Sequence, residues 1–419
     1  MLTRRRFLWL GAGGAAAALA GGSGAAWYGL RNPCRVRLPE PLATHALVQA
    51  AFRGLDPSRL VDMHVHLVGV GVGGTGAWVN PEMTSWAHPI KALKFLFYRN
   101  AACITDLDRA DQDYADRLVA LKREAFPPGA RLVVLAFDHA YGADGTVDLA
   151  DSEFYAPPDY AFDLAARHPA DLWVATSVHP YRADALDRLD ADAARGAVAV
   201  KWLPNAQRID PADPRCRPFY RKLAALDLPL ITHAGEERAV DAADAQLLGN
   251  PLKLRPALEE GVRVVVAHCA SAGACPDLDL PDAPPAAAFD LFMRLMNEPR
   301  WEGRLFGDVS AMPQFNRAGR PLREILLAGH LHHRLLNGSD YPLPGVNPLI
   351  RTGALADAGY ITPDERAVLN EIFAYNALLF DFVLKRALRA VDGGGAEHRF
   401  ADAVFQQQPF FARRAAPRP

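Results

Sequence analysis

Net charge is what this chain has least of. Its 46 Lys and Arg against 48 Asp and Glu leave a formal charge of -2 over 419 residues, so composition gives no electrostatic case for binding nucleic acid or an anionic membrane surface. Cysteine is also scarce: Cys34, Cys103, Cys216, Cys269 and Cys275 show no zinc-finger spacing, which argues against the small zinc modules. An oxidising compartment permits one or two disulfides among them; the sequence does not pair them, and the odd total leaves at least one thiol free. No Gly-x-x-x-x-Gly-Lys-Ser/Thr pattern is present, and no helix opens after the glycine-rich run Gly69 to Gly76, so that run is no nucleotide-binding loop. Internal repeats and low-complexity blocks are missing. What remains is a half-apolar chain, rich enough for one large core, with small neutral or weakly charged molecules as expected partners.

The N-terminus is expected to lie outside the fold. Thr3-Arg4-Arg5-Arg6-Phe7-Leu8 precedes an Ala/Gly-rich, weakly hydrophobic stretch to about Leu30, and the segment resembles a bacterial twin-arginine export signal. That resemblance implies passage through the twin-arginine machinery in the folded state. The protein would then be periplasmic, or held at the outer face of the inner membrane if residues 7–30 stay on as an anchor. Cleavage could follow Ala18-Leu19-Ala20 or Ala25-Ala26; an ordinary basic N-terminus ahead of a membrane anchor is the alternative. Cys34 follows Arg31-Asn32-Pro33 rather than small apolar residues, which argues against lipoprotein acylation.

Short apolar runs alternate with amphipathic stretches from about residue 59 to residue 388. Leu60 to His66, Arg131 to His139, Leu172 to His179, Ala197 to Leu203, Pro229 to Ala234, Val262 to Cys269, Leu305 to Ala311 and Leu335 to Asp340 read as strands. Their continuous apolar character predicts burial on both faces, as in parallel sheets. Phe289, Phe292, Met293 and Met296 fall at i, i+3, i+4 and i+7, the spacing of one buried helix face. Thr362-Pro363-Asp364-Glu365 offers a capping box with proline at the first helical position, opening a long apolar helix through Ile372, Phe373 and Leu379. Gly196 and Gly261 sit where helices should stop. About eight strand-helix units in one region is the count of a (β/α)8 barrel.

The expected organisation is therefore an α/β chain. Residues 1–30 are the signal or anchor, 31–58 a linker and N-terminal segment, 59–390 the barrel, and 391–419 a C-terminal extension. The first βα connection, Leu67 to Pro128, is far longer than usual and carries Trp78 and Trp86, which suits a lid or a substrate-shaping element. Periodicity is lost after Val391 through Gly393-Gly394-Gly395, so the extension is expected on the barrel exterior or partly disordered.

The polar residues gather at one end of these strands. Asp62-Met63-His64-Val65-His66 presents two imidazoles to one point, because residues two apart in a strand face the same way. Lys201 closes strand four, His233 strand five, His268 strand six and Asp340 strand eight. In a parallel barrel these ends share one face, and neutral imidazoles with a carboxylate are what a divalent ion activating a water requires. His139 and His179 close strands two and three, where they could line the pocket or simply cap their strands. His330, His332 and His333 lie before strand eight and read as surface or structural residues.

This ordered set resembles the amidohydrolase superfamily, nearest its amidohydrolase-2 branch, from about Leu60 to Leu388. The resemblance implies a TIM barrel in which His64, His66, His233 and Asp340 hold a catalytic divalent metal, zinc foremost. His268 would bind a second ion or polarise the substrate. Lys201 would be a carbamate bridging two ions, or an amine pairing with an acid beside one. Asp340 would take the proton of the activated water and pass it to the leaving group, while His268 stabilises the charge developing on the substrate. The activity so implied is hydrolysis of a C-N, ester, lactone or related bond of a small molecule. A decarboxylase or other lyase, a deaminase, and least of all a non-catalytic binding protein are the alternatives. His233-Ala234-Gly235-Glu236 resembles the strand-five end of adenosine-deaminase-like proteins, with Glu236 a substrate or orienting contact, but a single aspartate in Asn337-Gly338-Ser339-Asp340 weakens that reading. Oligomeric state is left open.

Overall fold

The computed structural model describes residues 31–412, apart from Val36, Asp241, Ala243 and Asp244. The twin-arginine segment and the anchor stretch lie outside these residues. Among the described residues, no helix is long and apolar enough to cross a membrane.

Eight parallel strands pair in sequence order: β1 (Val61–His66), β2 (Arg131–Leu135), β3 (Leu172–Thr176), β4 (Ala199–Trp202), β5 (Leu230–Thr232), β6 (Val264–Val266), β7 (Leu305–Asp308) and β8 (Leu335–Leu336). The β8–β1 seam is closed by hydrogen bonds from Met63 N to the Asn337 carbonyl at 2.9 Å, Asp340 N to the His64 carbonyl at 2.8 Å and His66 N to the Tyr341 carbonyl at 2.9 Å. Sequential parallel pairing closed on itself is the (β/α)8 barrel the sequence predicts. Val61, Met63, Val133, Leu135, Ala175, Ala199, Ile231, Val265 and Leu336 fill its interior, while Leu132, Val134, Val174, Val200, Leu230 and Val264 pack outward against the helices. This two-sided burial is what makes the strands read as unbroken apolar runs.

Every strand is shorter than its apolar run. The polar residues expected to close the strands lie beyond most of them, in turns: His139 and His179 follow β2 and β3 by several residues, and His268 follows β6 by two. The connection Leu67 to Pro128 is not one loop. It contains helix α1 (Pro89–Ala102), which roofs the C-terminal ends of the strands, and α2 (Ala110–Ala125), the outer helix of the first unit. Outer helices α3 (Pro158–Arg167), α4 (Ala185–Ala194), α5 (Cys216–Ala225), α6 (Arg255–Glu259), α7 (Ala288–Met296) and α8 (Arg320–Leu327) follow. Phe289, Phe292 and Met296 of α7 are buried, as their spacing predicts, and Met293 is partly so.

The long helix expected through Ile372 and Leu379 is two helices, α9 (Pro363–Phe373) and α10 (Ala377–Ala387). The capping box of Thr362 and Glu365 opens α9. Asn376, extended at φ -149°, breaks the run: its side chain accepts from Leu379 N and donates to the Leu121 carbonyl. Asparagine satisfies a new helix start better than it continues an old one.

The C-terminal extension does more than coat the exterior. After the hairpin Arg389–Val391 and Glu397–Arg399, Gln408 Nε2 donates to the carbonyls of Leu60 and Gly129 at 2.7 and 2.8 Å. Phe411 is buried against the interior set. Both contacts are at the N-terminal ends of strands, so the extension plugs the bottom of the barrel. One disulfide, Cys34–Cys103, ties the N-terminal segment to the end of α1, and Cys216, Cys269 and Cys275 are buried free thiols.

Candidate metal centre

The strand-one pair owes its direction to a fault in its strand. Val61 and Met63 point into the barrel packing, so strict alternation would turn His64 outward. The β1–β2 register instead shifts between Asp62 and Val65, and an irregularity of this kind reverses the facing of the residues beyond it. His64 and His66 thereby face the cavity. Buried Asp62 accepts from Ser339 N at 2.8 Å and His64 N at 3.2 Å, pinning the two strand ends together. Burial lifts its carboxyl to about 6.

The other members arrive by two routes. Lys201 and His233 continue the inward phase of Ala199 and Ile231. His268 and Asp340 sit in left-handed backbone, at φ 54° and 63°. Cys269 and Ala270 share that conformation with His268, which is costly for residues bearing a Cβ. The turn is held by His268 N donating to Asp308 Oδ1 at 2.9 Å.

The imidazoles share a pattern. His64 Nδ1 donates to Asp308 Oδ2 at 2.8 Å, His268 Nδ1 lies 2.8 Å from Ser310 Oγ, and His233 Nδ1 lies 3.4 Å from Glu237. Each thus spends Nδ1 on a protein partner and keeps Nε2 for the centre, the arrangement that fixes tautomer and ring direction in metal sites. His64 Nε2 is 3.4 Å from Asp340 Oδ1, His66 Nε2 is 3.0 Å from the same oxygen, and His268 Nε2 is 3.8 Å from Asp340 Oδ2. Ligand atoms of His64, His268 and Asp340 all lie within 4.8 Å of one another. The His233 ring centroid is 5.5 Å from that of His268, and its buried Nε2 has no hydrogen-bond partner.

Charge is distributed as a cation site needs it. Burial holds His64 and His268 below the ordinary imidazole value and His233 down at about 4, so the rings are neutral ligands at pH 7. Burial alone would raise Asp340 and Asp308, but the surrounding histidines, with Ser310 beside Asp308, outweigh it and hold both carboxyls well below the usual range. Lys201 lies 3.1 Å from His64 Nε2, and burial depresses its amine despite Asp308, Asp340 and Glu237 nearby. Neutral imidazoles, an ionised carboxylate and one orphaned nitrogen gathered in a buried site fit a divalent ion.

The centre opens into a cavity of about 460 Å³ lined by His64, His66, Lys201, His233, Glu237, His268, Arg317 and Asp340, and roofed by Ile90, Leu93, Phe97 and Tyr98 of α1. Three of the expected substrate contacts are not there. Glu236 turns outward to pair with Arg238 at 3.0 Å, because Gly235 at φ 88° swings the chain and brings the next residue, buried Glu237, inward. The glutamate on which the deaminase resemblance rests is thus off the cavity. His179 is buried with Nε2 2.8 Å from the Gln207 carbonyl, and His139 stacks on Tyr155; neither lines the cavity. Among the three histidines before β8, His332 is buried and structural, with Nε2 2.9 Å from the Ile325 carbonyl, while His330 and His333 are exposed.

The sequence reading missed Asp308, Glu237, Ser310 and Arg317. Asp308 closes its strand just as the others do, and the same rule would have found it. Arg317 is buried, its Nη1 donating to Ser271 Oγ at 3.1 Å and its Nε unpartnered. It stands nine residues past β7, with no local signal.

A family model described as Amidohydrolase (Amidohydro_2) matches residues 61–380. The chain belongs to the amidohydrolase family. No curated protein matches it. Among solved structures, it is similar to an uncharacterised TIM-barrel protein of Bordetella bronchiseptica, with 14% identity, TM-score 0.45, and coverage of 78% of this chain and 99% of that one. It is also similar to a 2-pyrone-4,6-dicarboxylic acid hydrolase, so named provisionally, of Pseudomonas putida (16%, 0.40, 84% and 98%). A 4-oxalomesaconate hydratase of Rhodopseudomonas palustris is a third (13%, 0.39, 78% and 97%). The activities in these names differ from one another. For this amidohydrolase, family membership and the His-His-Asp cluster support metal-dependent catalysis.

Proposed function

We propose that this amidohydrolase is an exported, metal-dependent hydrolase of a small molecule. The observation that carries the reading is the convergence of the neutral His64 and His268 nitrogens on ionised Asp340, beneath an open cavity that His233 also lines. His64, His268 and Asp340, with His66 and His233 beside them, would hold one divalent ion, zinc by ligand type. Such an ion supplies a Lewis acid that lowers the pKa of a water toward about 7.

The chain's own groups do the rest. Asp340, acceptor-only while ionised, takes a proton from water held at the strand ends and returns it to the leaving group. The guanidinium of Arg317, in the cavity wall, offsets negative charge developing on the scissile group, while His268, two residues past β6, keeps its Nε2 for the ion. Lys201 is assigned as the amine beside a single ion; a carbamate would add an anionic ligand for a second, and native mass spectrometry at neutral pH in bicarbonate would reveal it as one added carbon dioxide. Export is supported by the arginine-bearing N-terminus and by Cys34–Cys103, since such a bond persists in oxidising compartments.

Arg317 favours a second reading as well. A buried cation with a free Nε suits a substrate carboxylate, which a metal-dependent decarboxylase also needs. Incorporation of oxygen-18 from water into product marks hydrolysis, and carbon dioxide release without it marks the lyase. The test of the common scheme is metal analysis of chelator-free protein together with Asp340→Asn. About one divalent ion per chain is expected, retained in the variant with turnover lost by roughly a thousand-fold or more. Full activity in metal-free wild type would overturn it.

A further inference from the structure

Beside the metal centre lies a second space with a different chemistry. Between α1, the start of α2 and the chain after β1 there is a cavity of about 130 Å³ walled by Val70, Met83, Phe95, Ile104, Leu107 and Phe154. Most polar side chains at its edge are already engaged: Arg99 Nη2 donates to the Thr105 carbonyl at 3.1 Å, though its buried Nε has no partner. Tyr98 Oη donates to the Ala239 carbonyl, Tyr114 Oη to the His66 carbonyl, and Glu153 pairs with Lys94. The interior therefore offers almost wholly apolar surface. It adjoins the metal cavity across His66, Tyr98, Ala239, Val240 and Leu343, which line both spaces.

We propose that this cavity is the subsite for an apolar arm of the substrate whose reacting group lies over His64 and Asp340. Empty apolar space of this size is destabilising, yet here it is walled by α1 and α2 directly behind a metal-site histidine. An engineered protein cavity of about 150 Å³ stays dry and takes up benzene, so the arm is about one phenyl ring or a comparable short alkyl chain. Water has too few partners in this space to hold it. The substrate class is thus a small molecule with a hydrolysable polar head and one compact hydrophobic end, entering beneath the α1 roof with Tyr98 at the junction of the two spaces.

The inference rests on the metal reading above, and one experiment separates the two. The zinc-loaded full-length protein is titrated calorimetrically with acetohydroxamate, butanohydroxamate, hexanohydroxamate and phenylacetohydroxamate, whose common head chelates the ion while the tail varies. Kd is expected to fall about four-fold per methylene until the cavity is full, and then level off. In Ala102→Phe, which fills the cavity from the end of α1, the ratio of the acetohydroxamate to the hexanohydroxamate Kd should collapse toward one. Ala110→Phe fills it from α2 and serves if the first variant does not fold. Acetohydroxamate binding with no dependence on tail length, or a dependence undiminished in the folded variants, overturns the subsite. Failure of every hydroxamate to bind the loaded protein removes the metal reading, and the subsite with it.

Discussion

At the scale of single residues, the centre depends on what stands behind each ligand. Asp308 touches no substrate-facing space; it accepts from His64 Nδ1, from the backbone of His268 and from Ser310. A carboxylate so placed fixes the tautomer and orientation of two imidazoles at once. Asp308→Asn is expected to fold and to bind zinc about 10–100-fold more weakly, read by competition against a fluorescent chelator. Unchanged affinity would make Asp308 a packing residue. That His64, His66, Lys201, His233, His268 and Asp340 line one cavity was legible because each stands out as a polar side chain ending an apolar run. Glu236 was misread by one position because nothing in four letters states that Gly235 adopts φ 88°. Arg317 was illegible because its loop has no periodicity to fix where the side chain goes.

At the scale of elements, strand number and order were legible from period and turn residues, and strand length was not. The apolar runs continue past the last ladder pair into turns that deliver the site, so composition alone makes strand and turn look alike. One such turn depends on a glycine. A Cβ on Gly338 would lie 2.6 Å from His64 Cβ and 3.3 Å from Ser310 Cβ, a contact relieved only by moving the histidine or the turn that carries Asp340. Gly338→Ala is expected to keep its far-UV circular dichroism and lose zinc on dialysis that leaves the wild type loaded, an affinity drop of roughly ten-fold or more.

Charged loops between outer helices contribute differently. Arg255 of α6 and Arg294 of α7 clasp Asp279 at 2.5 and 2.9 Å. The hydrogen bond from Arg255, then that from Arg294, brings its carboxyl down to about 2 from 3.8 against the opposing effect of burial. A depressed folded-state value means the contribution is complete above about pH 4 and disappears as the pH falls toward about 2. Asp279→Asn should therefore cost about 0.5–1 kcal/mol in urea unfolding at neutral pH, and the gap to wild type should close as the pH is stepped down through that window. A gap independent of pH would assign the loss to something other than ionisation.

At the scale of the whole molecule, the barrel is closed at both ends by parts of the chain outside it. The C-terminal extension seals the bottom with Phe411 and Gln408. Its loss of periodicity hid this, because short segments docked by a few side chains carry no helical or strand pattern. At the top, Cys34–Cys103 joins the N-terminal segment to the roof helix across 69 residues of sequence. A covalent link between the roof of the metal cavity and the segment next to the expected signal makes compartment readable in chemistry. Protein that reaches an oxidising compartment should show three alkylatable thiols after denaturation, those of Cys216, Cys269 and Cys275. Replacing Arg4 and Arg5 by lysine is expected to block twin-arginine export and hold the chain in the reducing cytoplasm, where all five cysteines take up the label. Mass spectrometry of the two preparations reads the difference directly. A variant that still reaches the periplasm with the bond formed would remove the signal assignment, whereas a wild type exported with five free thiols would instead count against the disulfide.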